Sequence, residues 1–431
     1  GDYPDDMAGA RADMQVDGAR GKLGAADGLY NLHLNDDMLA MVGCGLGGTS
    51  LINANVALEI DPRLFEATPW PAPFRNDPAL LDPYIARARR MLDPSPYPDD
   101  YPPLNKLQAL EKSARAMKRP FERPPIAVNF ADQLNPFGVP QPRCTLCGDC
   151  TSGCNVGAKN TTLMNYLPDA ANHGAEIFTG ARVSHVERDG ERWRVVFDPV
   201  ALRGESAPAA DAPRSVTADI VMLGAGALGS TEILLRSRER GLALSDRLGT
   251  RFSGNGDVLA LGYDNDWQAS TGAAGNTVRS PINGVGTGRN KLAPADLPGP
   301  CITGVIDLRD APEVGDGLVI EEGVIPGALA SMLTPALFFA DAMTGGEFAY
   351  GAAQAKSRLQ DAQAMGEAVQ HPGELAAAAY GGAVARTQTY LVMSVDDAGG
   401  RLHLQDDRLR IDWPGAGTRP VIAKDHQWLR A

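Results

Sequence analysis

The run Gly43-Cys44-Gly45-Leu46-Gly47-Gly48-Thr49-Ser50-Leu51-Ile52-Asn53-Ala54-Asn55-Val56-Ala57 constrains this chain more than any other stretch. Four glycines crowd its start, and two hydroxyls and an asparagine follow. Glycine has no Cβ, so the backbone can take positive φ and lie against a bulky group. The amides of such a turn, leading into a helix, point at anionic or electron-rich groups. The plainer alternative is a tight turn that packs a helix on a sheet.

A second glycine turn follows far downstream. Ile220-Val221-Met222-Leu223-Gly224-Ala225-Gly226-Ala227-Leu228-Gly229-Ser230-Thr231 reads as strand, turn and helix. It satisfies G-x-G-x-x-G, a dinucleotide fingerprint when an acidic residue closes the next strand. No such residue is evident, because the chain continues into Leu242-Ala243-Leu244-Ser245-Asp246-Arg247. NAD is therefore the weaker reading of this turn.

The two runs together resemble the paired signatures of the glucose–methanol–choline (GMC) flavin oxidoreductases. Gly43–Ala57 is similar to the first signature and Gly226–Ser237 to the second. Thr231 stands where proline or serine is usual, and Arg238 replaces a glycine. Gly254-Asn255-Gly256-Asp257 resembles the exit from the flavin domain. Gly224–Asp257, Asn160-Thr161, Asn165-Tyr166-Leu167 and Leu409-Arg410-Ile411-Asp412-Trp413 resemble the cholesterol-oxidase-like branch. The likeness runs from about Val42 onward and thins across Gln268–Leu297 and Ala340–Ala379.

The resemblance implies FAD as cofactor. Gly47, Gly48, Thr49, Asn53 and Val56 would line the flavin, and Gly226 would abut FAD. Val183 would sit near the adenine, with a plain buried strand position as the equal alternative. It implies an α/β fold: an FAD-binding Rossmann-like domain, incomplete here, interleaved with an α+β substrate domain containing a mostly antiparallel sheet. The expected segments are 1–57 over the cofactor, 58–143 helical and proline-rich, 144–165 cysteine-rich, 166–257 with a meander and the second signature, and 258–431 for substrate. The ADP-binding βαβ unit is expected before Gly1, leaving the compartment open with the cytoplasm slightly favoured.

A chain of 431 residues with 44% hydrophobic and 22% charged residues has the composition of a globular protein with more than one domain. Its 48 glycines and 32 prolines predict much loop. A formal charge of −13 argues against nucleic acid or an anionic membrane surface as partner. No apolar run is long enough to span a bilayer; Ala328–Ala340 comes nearest, and Pro335 interrupts it.

Periodicity predicts helices over Pro78–Leu92, Asn105–Lys118 and Thr161–Ala171. It predicts a β-meander over Glu176–Thr179, Val183–Arg188 and Trp193–Phe197, with an Asp189-Gly190 turn. Val216–Leu223 reads as a buried strand, and Thr387–Trp413 as a second meander. Gly18–Val42 reads as mixed, with its Gly28-Leu29-Tyr30 segment suggesting a loop over the cofactor, and Leu51–Leu58 as helix or extended chain. Gln268–Pro300 reads as a long functional loop, and Ala352–Tyr380 as an alanine-rich helical region.

Four of the six cysteines form Cys144-x-x-Cys147-x-x-Cys150-x-x-x-Cys154, the ferredoxin-type spacing. Thiolates suit iron–sulfur clusters, so a [4Fe–4S] or [3Fe–4S] cluster is one reading. In two-cluster ferredoxins the fourth cysteine serves the other cluster, and no second run exists here. Zinc prefers separated pairs, disulfides need an oxidising compartment, and free thiols complete the alternatives. Cys44 and Cys301 read as small core residues.

Alcohol oxidation through FAD needs a base for the hydroxyl proton. None of the six histidines lies in the family's catalytic context, so that histidine is expected past Ala431. Within the chain, Glu321-Glu322 is the best acid–base candidate, with Glu322 as the catalytic choice, since paired acids raise one another's pKa. A solvated strand end is the plainer alternative. The expected activity is oxidation of a lipophilic, sterol-like secondary alcohol, with dioxygen or a redox carrier as acceptor. Ala328–Ala340 and Gln268–Pro300 would help form the pocket. The alternatives are an iron–sulfur/flavin electron-transfer protein and a non-catalytic fragment.

Overall fold

The structure is a computed structural model that describes residues 3–66, 70–203, 214–265, 281–287, 296–330, 380 and 382–431. Most of Gln268–Pro300, Ala328–Ala340 and Ala352–Tyr380 falls outside the described residues, as does His371.

Helix α1 (Met7–Ala12) is capped by the Asp6 carboxylate, which accepts the Gly9 N–H at 2.7 Å. Four short strands follow: β1 (Met14–Gly18), β2 (Gly21–Gly24), β3 (Tyr30–Leu34) and β4 (Leu39–Gly43). They form a sheet in the order β2-β1-β3-β4, with β1 and β3 parallel and the other pairs antiparallel. The mixed segment Gly18–Val42 is thus mostly sheet, and Tyr30 of its Gly28-Leu29-Tyr30 run opens β3. Strands of four or five residues with half-buried faces give little alternation to read. Beyond β4, a 3₁₀ turn (Gly48–Leu51) gives way to irregular chain.

Helices α2 (Ala72–Asn76), α3 (Asp82–Leu92) and α4 (Asn105–Met117) come next. Helix α4 buries Leu110 and Ala114 against Ile306, Leu308, Leu318, Ile320 and Val392. It stops at Lys118 in the left-handed region, φ 55°. The two-residue strands β5 (Phe121–Glu122), β6 (Gln133–Leu134) and β7 (Pro140–Gln141) precede the cysteine loop, and α5 (Tyr166–Asn172) follows it. The helix expected from Thr161 begins later because Thr162 is held elsewhere. Its N–H donates to Ser50 Oγ at 3.1 Å, and its hydroxyl donates to the Gly47 carbonyl at 3.0 Å.

The first meander forms as β8 (Ala181–Asp189), β9 (Arg192–Pro199) and β10 (Arg214–Ala218), and Gly190 takes φ 63° at the expected turn. Two expectations are corrected. Glu176–Thr179 forms no strand, and the strand expected over Val216–Leu223 ends at Ala218 with its side chains largely exposed. Ile220 and Met222 are 79% and 90% exposed. A strand needs a partner for its N–H and C=O groups, and among the described residues neither segment has one. Helix α6 (Gly226–Glu239) lies against β8, and Ser237 Oγ accepts the Val186 N–H at 2.9 Å.

The remaining strands are β11 (Thr250–Phe252), β12 (Val258–Gly262), β13 (Val305–Asp307), β14 (Leu318–Gly323), β15 (Gln388–Ser394), β16 (Gly400–Gln405) and β17 (Arg408–Asp412). A short helix (Gly382–Ala385) precedes β15, and a C-terminal helix (Pro420–Arg430) ends the chain. The sheet β12-β15-β14-β13-β5 is antiparallel throughout. The second meander is split: β15 joins this sheet, whereas β16 and β17 pair with β11. The chain turns between them because Asp396 Oδ2 accepts the Gly254 and Gly256 N–H groups, at 2.8 and 3.2 Å. Strand β14 is buried at every position. No helix among the described residues is long and apolar enough to cross a membrane.

Candidate functional site

Strand β4 delivers the chain into the first glycine run. Gly45, Gly47 and Gly48 take φ of 140°, 120° and 57°. The Gly43 N–H donates to Thr49 Oγ1 at 3.1 Å, and Ser50 Oγ donates to the Gly47 carbonyl at 2.6 Å. Leu51, Ile52 and Asn55 are buried, while Gly45, Thr49 and Asn53 are exposed at a spacing of four. The run therefore has an inner packing face and an open outer face. A Cβ on Gly48 would meet nothing, whereas one on Gly43 would lie 2.8 Å from Gly48 O and Thr49 Cα. Both contacts are backbone, so Gly43→Ala must shift the turn. We expect it to cost about 2 kcal/mol in chemical denaturation; an unchanged midpoint would mean the turn yields freely.

The second turn presents a similar open face. Gly226 takes φ 70°, and a Cβ on Gly224 or Gly226 would meet nothing. Leu228, one turn into α6, shares a core with Ala40 and Val42 of β4. The two glycine turns are thus fastened to one core, and their bare backbone fits the bulk of FAD. Val183 is half-buried on β8 beside a register shift.

A cavity of about 490 Å³ opens where β14 and β15 meet the end of the first glycine run. Val56, Leu58, Leu64, Leu318, Val319 and Met393 form its apolar wall, Asn255 and Ser394 bring polar atoms, and Asp61, Arg309 and Glu321 bring charged groups. Asn255 sits at φ 56° and its carbonyl accepts the Ser394 N–H at 2.8 Å, which holds Gly254–Asp257 against β15. No histidine is among the lining residues described.

Adjacent strand residues face opposite ways, and this separates the two glutamates. Glu321 lines the cavity, and its Oε1 is buried without a hydrogen-bond partner among the described residues. Burial pushes its carboxyl up to about 7, helped by Glu322 and Asp257. Glu322 points away, fully buried, into a set of donors. Its Oε1 accepts the Thr303 N–H at 2.6 Å, the Gly304 N–H at 3.0 Å and the Thr303 hydroxyl, and its Oε2 pairs with Lys106 Nζ. Glu322 holds structure together, and the cavity-facing acid is its neighbour. Strand alternation could have separated the two once β14 was known to border a cavity.

Cys144, Cys147, Cys150 and Cys154 line one small cavity together with Asp149 and Lys159. All six cysteines are free thiols, and burial pushes Cys147 and Cys301 up to about 12. Among the described residues, no three His, Cys, Asp or Glu side chains draw close enough to hold a metal ion. Two residues that sequence reasoning passed over complete this region. Asn55 is buried at φ 74° with its amide beside the Cys150 thiol. Lys159 Nζ donates to the carbonyls of Leu51, Asn53 and Cys150 at 3.1, 2.7 and 2.9 Å. Burial lowers that ammonium to about 8, against the opposing pull of the nearby cysteines.

A family model described as GMC oxidoreductase matches residues 18–252, more than half of the chain. A cholesterol oxidase of Mycobacterium tuberculosis is 29% identical over 250 residues, covering 54% of this chain and 42% of the relative. A cholesterol oxidase of Acinetobacter baumannii is 25% identical over 249 residues, covering 54% and 44%. A GMC-type oxidoreductase of M. tuberculosis is 26% identical over 230 residues, covering 52% and 32%. The chain spans less than half the length of the curated relatives it matches. Two glycine turns on a shared core and a family match across both of them lead to one conclusion: the chain belongs to the GMC oxidoreductases, on their cholesterol-oxidase-like branch.

Proposed function

We propose that this chain serves an FAD-dependent oxidoreductase that oxidises the CH–OH group of a lipophilic, sterol-like alcohol. The observation that carries the reading is the apolar cavity of about 490 Å³, walled by Val56 of the first glycine run and by Glu321. Its volume lies in the range of small-molecule sites, and its wall suits rings better than a polyhydroxylated sugar. FAD, when bound, supplies the acceptor for the hydride that leaves the carbinol carbon. Gly47, Gly48, Thr49, Asn53, Val56, Val183 and Gly226 are the proposed cofactor contacts. The remaining chemistry belongs to the chain. The apolar wall orients the substrate and excludes water, Asn255 and Ser394 offer polar contacts, and the Glu321 carboxylate takes the hydroxyl proton. Segments 1–57 and 166–257 would face the cofactor and 258–431 the substrate.

Two electrons must then leave. With dioxygen as acceptor, one molecule takes both electrons and two protons to give hydrogen peroxide. With one-electron carriers, two of them take one electron each, and both protons, the one held by Glu321 and the one left from the hydride, pass to water. An iron–sulfur cluster at the four thiols would favour the second route.

The test is anaerobic mixing of the full-length, FAD-loaded protein with cholesterol, with a short primary alcohol and with glucose. Loss of the visible flavin absorbance with cholesterol alone is the expected result. Bleaching by glucose alone would overturn the lipophilic assignment, and no bleaching by any alcohol would overturn the activity.

A further inference from the structure

We propose that Cys144, Cys147, Cys150 and Cys154 are the four ligands of a single iron–sulfur cluster lodged beside the first glycine run. Spacing alone leaves the fourth cysteine ambiguous, because in a two-cluster protein it would serve elsewhere. The structure removes that ambiguity: all four side chains line the same cavity. The loop achieves this with residues in the left-handed region, Leu146 at φ 63°, Gly148 at 80° and Gly153 at 93°. At Gly148 a Cβ would lie 2.8 Å from Pro298 and Val324, so the wrapped loop is packed in place.

A backbone donor reaches the first sulfur: the Leu146 N–H donates to Cys144 Sγ at 3.4 Å, two residues on. Hydrogen bonds to sulfur are a principal means by which proteins tune such clusters.

Charge points the same way. Lys159 is a buried cation on the cavity wall that makes no ion pair among the described residues. A buried charge calls for an opposite one, and a thiolate-bound cluster supplies it. Through its three carbonyl partners Lys159 also joins the cysteine loop to Leu51 and Asn53 of the first glycine run. Cys150 packs against Ala54 and Val56 from the same run. The role of the cluster as an electron outlet rests on the FAD reading above; the ligand set does not.

The test is anaerobic purification of the full-length protein, reconstitution with ferrous iron and sulfide, and measurement of iron, acid-labile sulfide, zinc and FAD on one sample. About four irons and four sulfides per chain, or about three irons for a trinuclear cluster, are expected, with an electron paramagnetic resonance signal in one redox state. Cys147→Ala and Cys154→Ala should each lose most of the iron, and Cys44→Ala should keep it. Should the variants not fold, alkylation of the wild-type chain decides: the cluster-loaded protein shields the four cysteines of the run and releases them on chelation. Zinc in place of iron, or iron and sulfide near zero, overturns the proposal. FAD content is read separately, so FAD without iron sinks the cluster alone, and iron without FAD sinks the flavin reading alone.

Discussion

Lys106→Met is expected to destabilise the protein by about 3–5 kcal/mol. The Lys106 side chain is fully buried, and its ammonium reaches Glu322, the Cys301 carbonyl at 3.2 Å and Thr303 Oγ1 at 3.2 Å. It ties α4 to β14 and to the segment before β13. Methionine retains the stem and removes the charge, leaving Glu322 buried without its cation. Such an orphaned charge costs far more than the intact pair contributes. The double variant Lys106→Met/Glu322→Gln keeps an acceptor for the Thr303 and Gly304 N–H groups and removes the charge, so it should recover at least half of the loss. Urea unfolding of the three proteins at one pH checks this. A Lys106→Met loss below about 1 kcal/mol would show that the two side chains are not an ion pair in solution.

Glu321→Gln is expected to strengthen the fold and weaken catalysis. An acid whose folded pKa is raised binds its proton more tightly when folded. Its contribution to stability is therefore full below its ordinary value of 4.5 and is lost as pH climbs through about 7. That gap, at about 1.36 kcal/mol per pH unit, is worth about 3 kcal/mol. The wild type should lose that much between pH 4.5 and pH 8 relative to the variant, and the variant should be the more stable protein at pH 8. Alcohol-driven flavin reduction should fall by about 100-fold or more, the usual size of a lost proton acceptor. In the wild type that rate should rise with pH through about 7, as the carboxylate forms. Parallel stability curves for the two proteins would show that Glu321 is not a buried, unpaired acid. Unchanged reduction would remove it from the chemistry.

Under the proposed role for Glu321, stability and function would conflict at this one position, and the structure shows why. Glu322 sits among donors, whereas Glu321, one residue away, faces a largely apolar cavity and its Oε1 has no hydrogen-bond partner among the described residues. Retaining an unpaired carboxyl at such a point weakens the fold and is typical of a site kept for its reactivity.

Local chemistry was legible in the sequence. Glycines at 45, 47 and 48, and again at 226, announced turns with positive φ, and the turns are there. The helical period over Asn105–Lys118 and the Asp189-Gly190 hairpin need only neighbouring residues, and both form as read. Strands over Glu176–Thr179 and Ile220–Leu223 were read from composition that needs a distant partner to become sheet. Lys106 and Lys159 were invisible because nothing near them in sequence explains a buried ammonium; their partners lie up to 216 residues away.

The sequence by itself determined that this chain carries two glycine turns of a flavin oxidoreductase and four cysteines spaced for a cluster, because both patterns are written in short-range residue order. Only the tertiary structure decided that the four thiols share one cavity, that Glu321 rather than Glu322 faces the pocket, and that Lys159 links the cysteine loop to the first glycine run. Those are relations between strands and loops far apart in the chain, set by which faces become buried, and no local pattern encodes them.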